Sequence, residues 1–305
     1  MHIRRLVKAG QTSHTVSLPK EWISKNNLQK GDTIYIHPKS NTELLISTKT
    51  DKQPIEKKEI TINVEGKEVD TIQRDITSAY LNNYNTITLL GDDITSKTKA
   101  IRKILHDFVA LEISEQTSMR IVAKDLLNLQ EISLFKTINR MDLIIRTMID
   151  DTISTFDGKK LQESIRFRDY DVNRLYFLAS RLLKGSLTNN ELAKQLEVDK
   201  GNVLSQWYLV VNLENLADYI KNISEISKTR KDKKIKEIVK TIQQNYLDIM
   251  KARHKNDKKL ADSVIKRRKE IFLQCNKLEN QEISSIIKSI TTTINNIAKI
   301  IIDKE

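Results

Sequence analysis

Residues 188–226 read TNNELAKQLEVDKGNVLSQWYLVVNLENLADYIKNISEI, and the second half of this stretch decides the fold. From Val203 to Ile226, apolar side chains recur at helical spacing: Val203, Trp207, Val210, Val211, Leu213, Leu216, Ala217, Ile220 and Ile223. Residues three and four apart share one face of a helix, so this spacing predicts an amphipathic helix with a core stripe. Glu214 and Asp218 stand one turn apart, so both carboxylates can reach one cation. An acidic pair at this spacing is more commonly a solvated face or a partner for lysine.

Immediately upstream, Glu191 to Val203 has the A-x-x-L-x-V rhythm of a helix-turn-helix. Glu197 stands where such a turn favours glycine, and the following helix is apolar along a whole face. The segment therefore reads as a connector into a bundle core. From Ser133 onward the periodicity predicts six helical stretches, roughly 133–156, 159–184, 202–227, 230–253, 257–279 and 281–303. All three prolines precede residue 60, so nothing interrupts long helices beyond it. The third and sixth stretches share an ending, Asn222-Ile223-Ser224 and Asn296-Ile297-Ala298, which points to a duplicated three-helix unit.

The run from Val210 to Glu225 resembles the signature helix of PhoU-type phosphate-uptake regulators, with its E-x-x-x-D spacing and N-I-[AS]-E ending. Arg168-Asp169-Tyr170-Asp171-Val172-Asn173-Arg174-Leu175-Tyr176 is similar to that family's R-D-D-E-V-D-x-L-Y run, with Asn173 where an aspartate is usual. The resemblance implies two three-helix units placed end to end, over 129–305, and a site able to hold a multinuclear metal cluster. Asp169, Glu214 and Asp218 are its candidate ligands, for a divalent metal or iron, whose hard charge suits carboxylate oxygens. The matching positions of the last helix are Lys288 and Thr292, so metal is expected only in the first unit.

Residues 49–128 open with a polar linker, Lys49 to Lys58, and continue as a small α/β spacer domain. Strands are expected at 59–64, 86–90 and 118–123, with helices at 69–81 and 96–111, the second capped by Thr95 or Ser96. Gly91 beside Asp92 and Asp93 is no phosphate-cradling loop, since no glycine repeat or Gly-Lys-Thr follows.

Residues 1–48 read as short strands at Ile3 to Lys8, Thr15 to Leu18, Thr33 to Ile36 and Leu44 to Ser47, with a short helix opened by Pro19. V-S-L-P-K-E-W-I and K-G-D-T-I-Y-I resemble the swapped-hairpin module of the AbrB, MazE and SpoVT families. That resemblance implies a homodimer with interleaved strands and a basic surface that binds double-stranded DNA. Arg4, Arg5, Lys8 and Lys20 are the candidate phosphate contacts, with Ser13 and Thr15 as hydrogen-bonding partners. Gln11-Thr12-Ser13-His14 and Glu21-Trp22-Ile23 stand where the bacterial DNA-binding members carry arginines.

Together these readings give an α+β chain, mostly α: a swapped-hairpin β module, an α/β spacer and a pair of three-helix bundles. The formal net charge of +12 favours an anionic partner and is concentrated. Lys228 to Glu270 holds 16 basic and 6 acidic residues, and 1–48 holds 7 basic and 3 acidic. In the first of these runs the charges interleave with Ile235, Ile238, Val239, Ile242 and Tyr246, as on the solvated face of a long helix. No run has the length of a membrane span, and Met-His-Ile-Arg-Arg leads into folded-looking sequence instead of a signal peptide, so the chain is expected to be cytoplasmic. Cys275 is the single cysteine and is expected as a reduced, partly buried thiol. Five scattered histidines and no nucleophile motif argue against an enzyme.

The function expected is therefore a phosphate-responsive transcriptional regulator. The alternative is an adaptor that restrains a phosphate transporter or its signalling kinase without touching DNA. A third reading, an antitoxin-like partner, leaves the helical region unexplained.

Overall fold

The computed structural model describes residues 3–38, 42–48, 57–128, 131–227 and 232–304. The chain divides into two compact units, Met1–Glu56 and Lys57–Glu305. Most of the expected linker, residues 49–56, lies outside the described residues, as do 228–231 at the head of the basic run.

In the first unit, β1 (Val7–Lys8) pairs antiparallel with β2 (His14–Thr15), α1 spans Lys20–Lys25, and β3 (Tyr35–Pro38) pairs antiparallel with β4 (Leu44–Ser47). The first two strands are shorter than the alternation predicted, and Pro19 is the N-cap of α1 instead of its first residue. Gly10 sits at φ +148° in the β1–β2 turn, a backbone conformation side chains rarely take. No described residue of 3–48 is buried. Ile3, Leu6, Val7, Ile36 and Leu44 are all well exposed, so the described residues of this unit form no apolar core of their own.

The second unit begins with a four-stranded sheet in the order β5-β6-β8-β7: β5 (Glu59–Asn63), β6 (Thr86–Leu90), β7 (Leu111–Gln116) and β8 (Arg120–Asp125). β5 and β6 are parallel and joined through α2 (Val69–Leu81), while β8 is antiparallel to both its neighbours. Ile62, Ile87, Leu89, Ile121 and Ala123 pack beneath Ile72, Ile76, Ile101 and Leu105 of α2 and α3 (Ile94–His106). The predicted helix over 96–111 is corrected here. Ile101, Ile104, Leu105, Phe108 and Leu111 keep helical spacing, but Ala110 takes a positive φ and Leu111 begins a strand. α3 also starts two residues early. Thr95 Oγ1 donates to the Ser118 carbonyl and Ser96 Oγ to that of Asp93, so neither caps the helix. A Cβ on Gly91 would lie 3.1 Å from the Glu65 amide nitrogen, so this glycine serves close packing of the β6 end.

The helices that follow are α4 (Leu134–Thr155), α5 (Gln162–Ser186), α6 (Asn190–Gln195), α7 (Lys200–Ser227), α8 (Lys233–Lys255), α9 (Lys258–Cys275) and α10 (Gln281–Ile302). Local chemistry sets several starts: the side chains of Ser133, Asn189, Asp232, Asp257 and Asn280 accept backbone N–H groups of the first turn that follows. Asn256, left-handed at φ 51°, ends α8.

The two trios, α4, α5 and α7 and then α8, α9 and α10, do not lie end to end. α4, α7, α10 and α8 pack in a ring, with α5 against α4 and α7, and α9 against α8 and α10. α8 runs antiparallel along α4, through Arg253 to Asn139 and Gln243 to Asp150. One continuous core results, because the buried stripes of all these helices meet in a single apolar cluster. Leu192, Leu196, Val198 and Val203 enter this core, so the α6–α7 turn is spent on packing. Glu197 takes φ 55° in that turn, the conformation glycine would favour. Trp207, expected in the core stripe, is instead 42% exposed, and Cys275 is fully rather than partly buried.

The α/β layer is not a free spacer. Tyr80, Phe108 and Phe177 stack in series, joining the sheet layer to α5. Arg181 of α5 reaches across to Asp125 and Asn83.

Candidate functional site

α5 and α7 run antiparallel, so the start of one faces the end of the other. Arg166 of α5 pairs with Glu225 of α7 at 2.6 Å, and one turn on Asp169 meets Lys221. On α7, Glu214, Asp218 and Lys221 fall at i, i+4 and i+7 and so share a face. The Lys221 ammonium donates to Asp169 Oδ2 at 2.7 Å and to Asp218 Oδ1 at 2.5 Å. Asp169 is the most deeply set, its side chain 7% exposed, against 24% for Lys221. Arg168 turns the other way, to Asp151 of α4 and to Ser164.

Burial raises the Asp169 carboxyl above the usual carboxylate range, against the pull of Lys221. Burial draws the Lys221 ammonium down, yet the bonds and charges of Asp169 and Asp218 outweigh it and the net direction is upward. Glu214 is pushed from its ordinary 4.5 up to about 7, first by burial and then by the charges of Asp218 and Asp169. A carboxyl that holds its proton more tightly when folded stabilises the fold below its unfolded value and loses that contribution as pH rises through about 7. The native chain is accordingly expected to lose stability between about pH 5 and pH 8 in urea titrations. Glu214→Gln is expected to flatten that slope, and an unchanged slope would refute the assignment.

The structure thus brings Asp169, Glu214 and Asp218 to one α5–α7 face, as the sequence predicted, but around a lysine that the spacing of the acidic pair did not bring to notice. The signal was present: Lys221 continues the spacing of Glu214 and Asp218 by a further turn. Tested as a metal site, the set does not fit. The ammonium takes one oxygen from each aspartate, and among the described residues no group of three His, Cys, Asp or Glu is placed to hold a metal ion. Asp169 Oδ1 is buried without a hydrogen-bond partner, a single oxygen where a hard cation asks for several. In the second trio, Lys288 and Thr292 line a groove with Tyr208, Asn215, Arg268 and Asn296, a set without a carboxylate.

Residues 138–227 match the PhoU domain family. The matched residues comprise most of α4 and all of α5, α6 and α7, and so include the acidic face. No curated protein and no solved structure matches the chain.

The other predicted site residues lie in the first unit, and Arg4, Arg5, Lys8, Ser13, Thr15 and Lys20 are all exposed. Ser13 Oγ donates to the Ala9 carbonyl at 3.1 Å and Thr15 Oγ1 to that of Val7 at 3.4 Å. Both hydroxyl protons are thus directed at carbonyls of the hairpin itself. In the described part of the basic run, Lys236, Lys240, Lys266 and Arg267 pair with Asp157, Glu237, Asp262 and Asp248, while Arg268 stacks on Phe272. That pairing suits a solvated face. No described helix is long and apolar enough to cross a membrane.

Proposed function

We propose that the chain is a cytoplasmic, homodimeric regulator of phosphate uptake that binds duplex DNA through residues 1–48 and receives its signal through the PhoU domain. The observation that carries this reading is the first unit: no described residue of it is buried, and Arg4, Arg5, Lys8 and Lys20 stand exposed on it. A module that cannot bury a core alone gains one by interleaving with a second copy. Two copies double the basic surface, and cations on phosphates supply salt-dependent affinity.

The test is fluorescence anisotropy with duplex DNA from upstream of a phosphate-transport operon, using the full chain over a range of salt. Replacing Arg4, Arg5 and Lys8 together by alanine is expected to weaken binding by about tenfold or more, lowering the salt slope by about one for each phosphate that is no longer neutralised. Equal binding by the triple variant would reject this surface. Absence of binding by the native chain at low salt would favour an adaptor that restrains a phosphate transporter or its signalling kinase. The internal use of the Ser13 and Thr15 hydroxyl protons supports that second reading.

A further inference from the structure

The acidic face of the PhoU domain already holds a cation. Lys221 is carried on the same helix as Glu214 and Asp218, at the spacing that sets all three on one side. Its four-carbon stem reaches across to α5, and its ammonium bridges Asp169 and Asp218 at 2.7 and 2.5 Å. Two carboxylates on neighbouring helices that share one cation are joined in the way a metal ion would join them. We propose that the Lys221 ammonium takes the place of a metal ion between α5 and α7, so that the PhoU domain closes on a cation supplied by the chain itself.

Three observations support this. Asp169 is nearly enclosed, so its charge needs a partner at short range, and Lys221 provides one. The bond also crosses between helices, from Lys221 of α7 to Asp169 of α5, so it ties the two together as a bond within one helix would not. Finally, a divalent ion on the same oxygens would stand against the ammonium, and like charges at close range repel. Ion and ammonium thus compete for one place. It follows that α5–α7 closure is independent of metal supply, whichever partner the regulator has.

The test uses the full chain, freed of metal by chelator and dialysed, titrated calorimetrically with Mn²⁺ and separately with Zn²⁺. The native protein and Lys221→Arg are expected to take up no ion that Asp169→Asn removes. Lys221→Met vacates the position, and is expected to gain about one ion per chain, lost again when Asp169→Asn is added. The thermal midpoint of the native chain is expected to be the same with Mn²⁺ and with chelator, whereas that of Lys221→Met rises with Mn²⁺. Uptake by the native chain that Asp169→Asn or Asp218→Asn abolishes overturns the proposal. So does a folded Lys221→Met variant that takes up neither ion. Should Lys221→Met fail to fold, the comparison of the native chain with Asp169→Asn decides alone, in either direction. None of these readouts involves DNA, so they are independent of the test of the first unit.

Discussion

Replacing Arg181 by alanine is expected to destabilise the second unit by about 3–5 kcal/mol, the scale of removing one partner from a buried ion pair. The side chain is 2% exposed and lies in the middle of the junction between α5 and the α/β layer. Its Nη2 donates to Asp125 Oδ2 at 2.5 Å and its Nε to Asn83 Oδ1 at 3.1 Å, while the guanidinium lies 4.5 Å from the Tyr80 ring centre. Asn83 returns a bond to the Arg181 carbonyl. Alanine would leave Asp125, itself buried, without its counter-charge. Replacing Arg181 by methionine and Asp125 by leucine together is expected to recover much of the loss, because the desolvation cost of both charges is removed at once. Urea unfolding of the single and double variants measures this. Losses that simply add would show that the pair is not coupled.

Leu213→Ala is expected to cost about 2–5 kcal/mol through the cavity it leaves. Leu213 is fully buried on α7, the helix that packs against α4, α5 and α10 and so touches both trios. A cavity there removes packing shared by the two halves, so the whole helical region is expected to lose stability in one transition. Denaturation followed by fluorescence and by far-ultraviolet dichroism checks this. Separate midpoints for the two signals would show that the trios unfold independently, against the single core.

Much of this architecture was legible in the residues. Stretches such as 203–226 repeat apolar side chains over many turns, and a long periodic signal survives uncertainty at its ends. The caps Asp232, Asp257 and Asn280 are a local signal that the reading by periodicity did not use. The end of α3 was not legible, because Phe108 and Leu111 are apolar for the sake of a turn and a strand while still matching a helical repeat. Trp207 misled in the same way: periodicity marks a face but not whether a neighbour covers it.

The candidate site divides along similar lines. Sequence spacing alone determined that Glu214 and Asp218 share a face, because a helix fixes the angular relation of its own side chains. Only the tertiary structure decided that the cation between them is Lys221, that the two trios share one four-helix ring, and that Arg181 joins the bundle to the sheet. Each depends on residues distant in sequence meeting at particular heights along packed helices, and the periodicity of a single helix carries no information about that register.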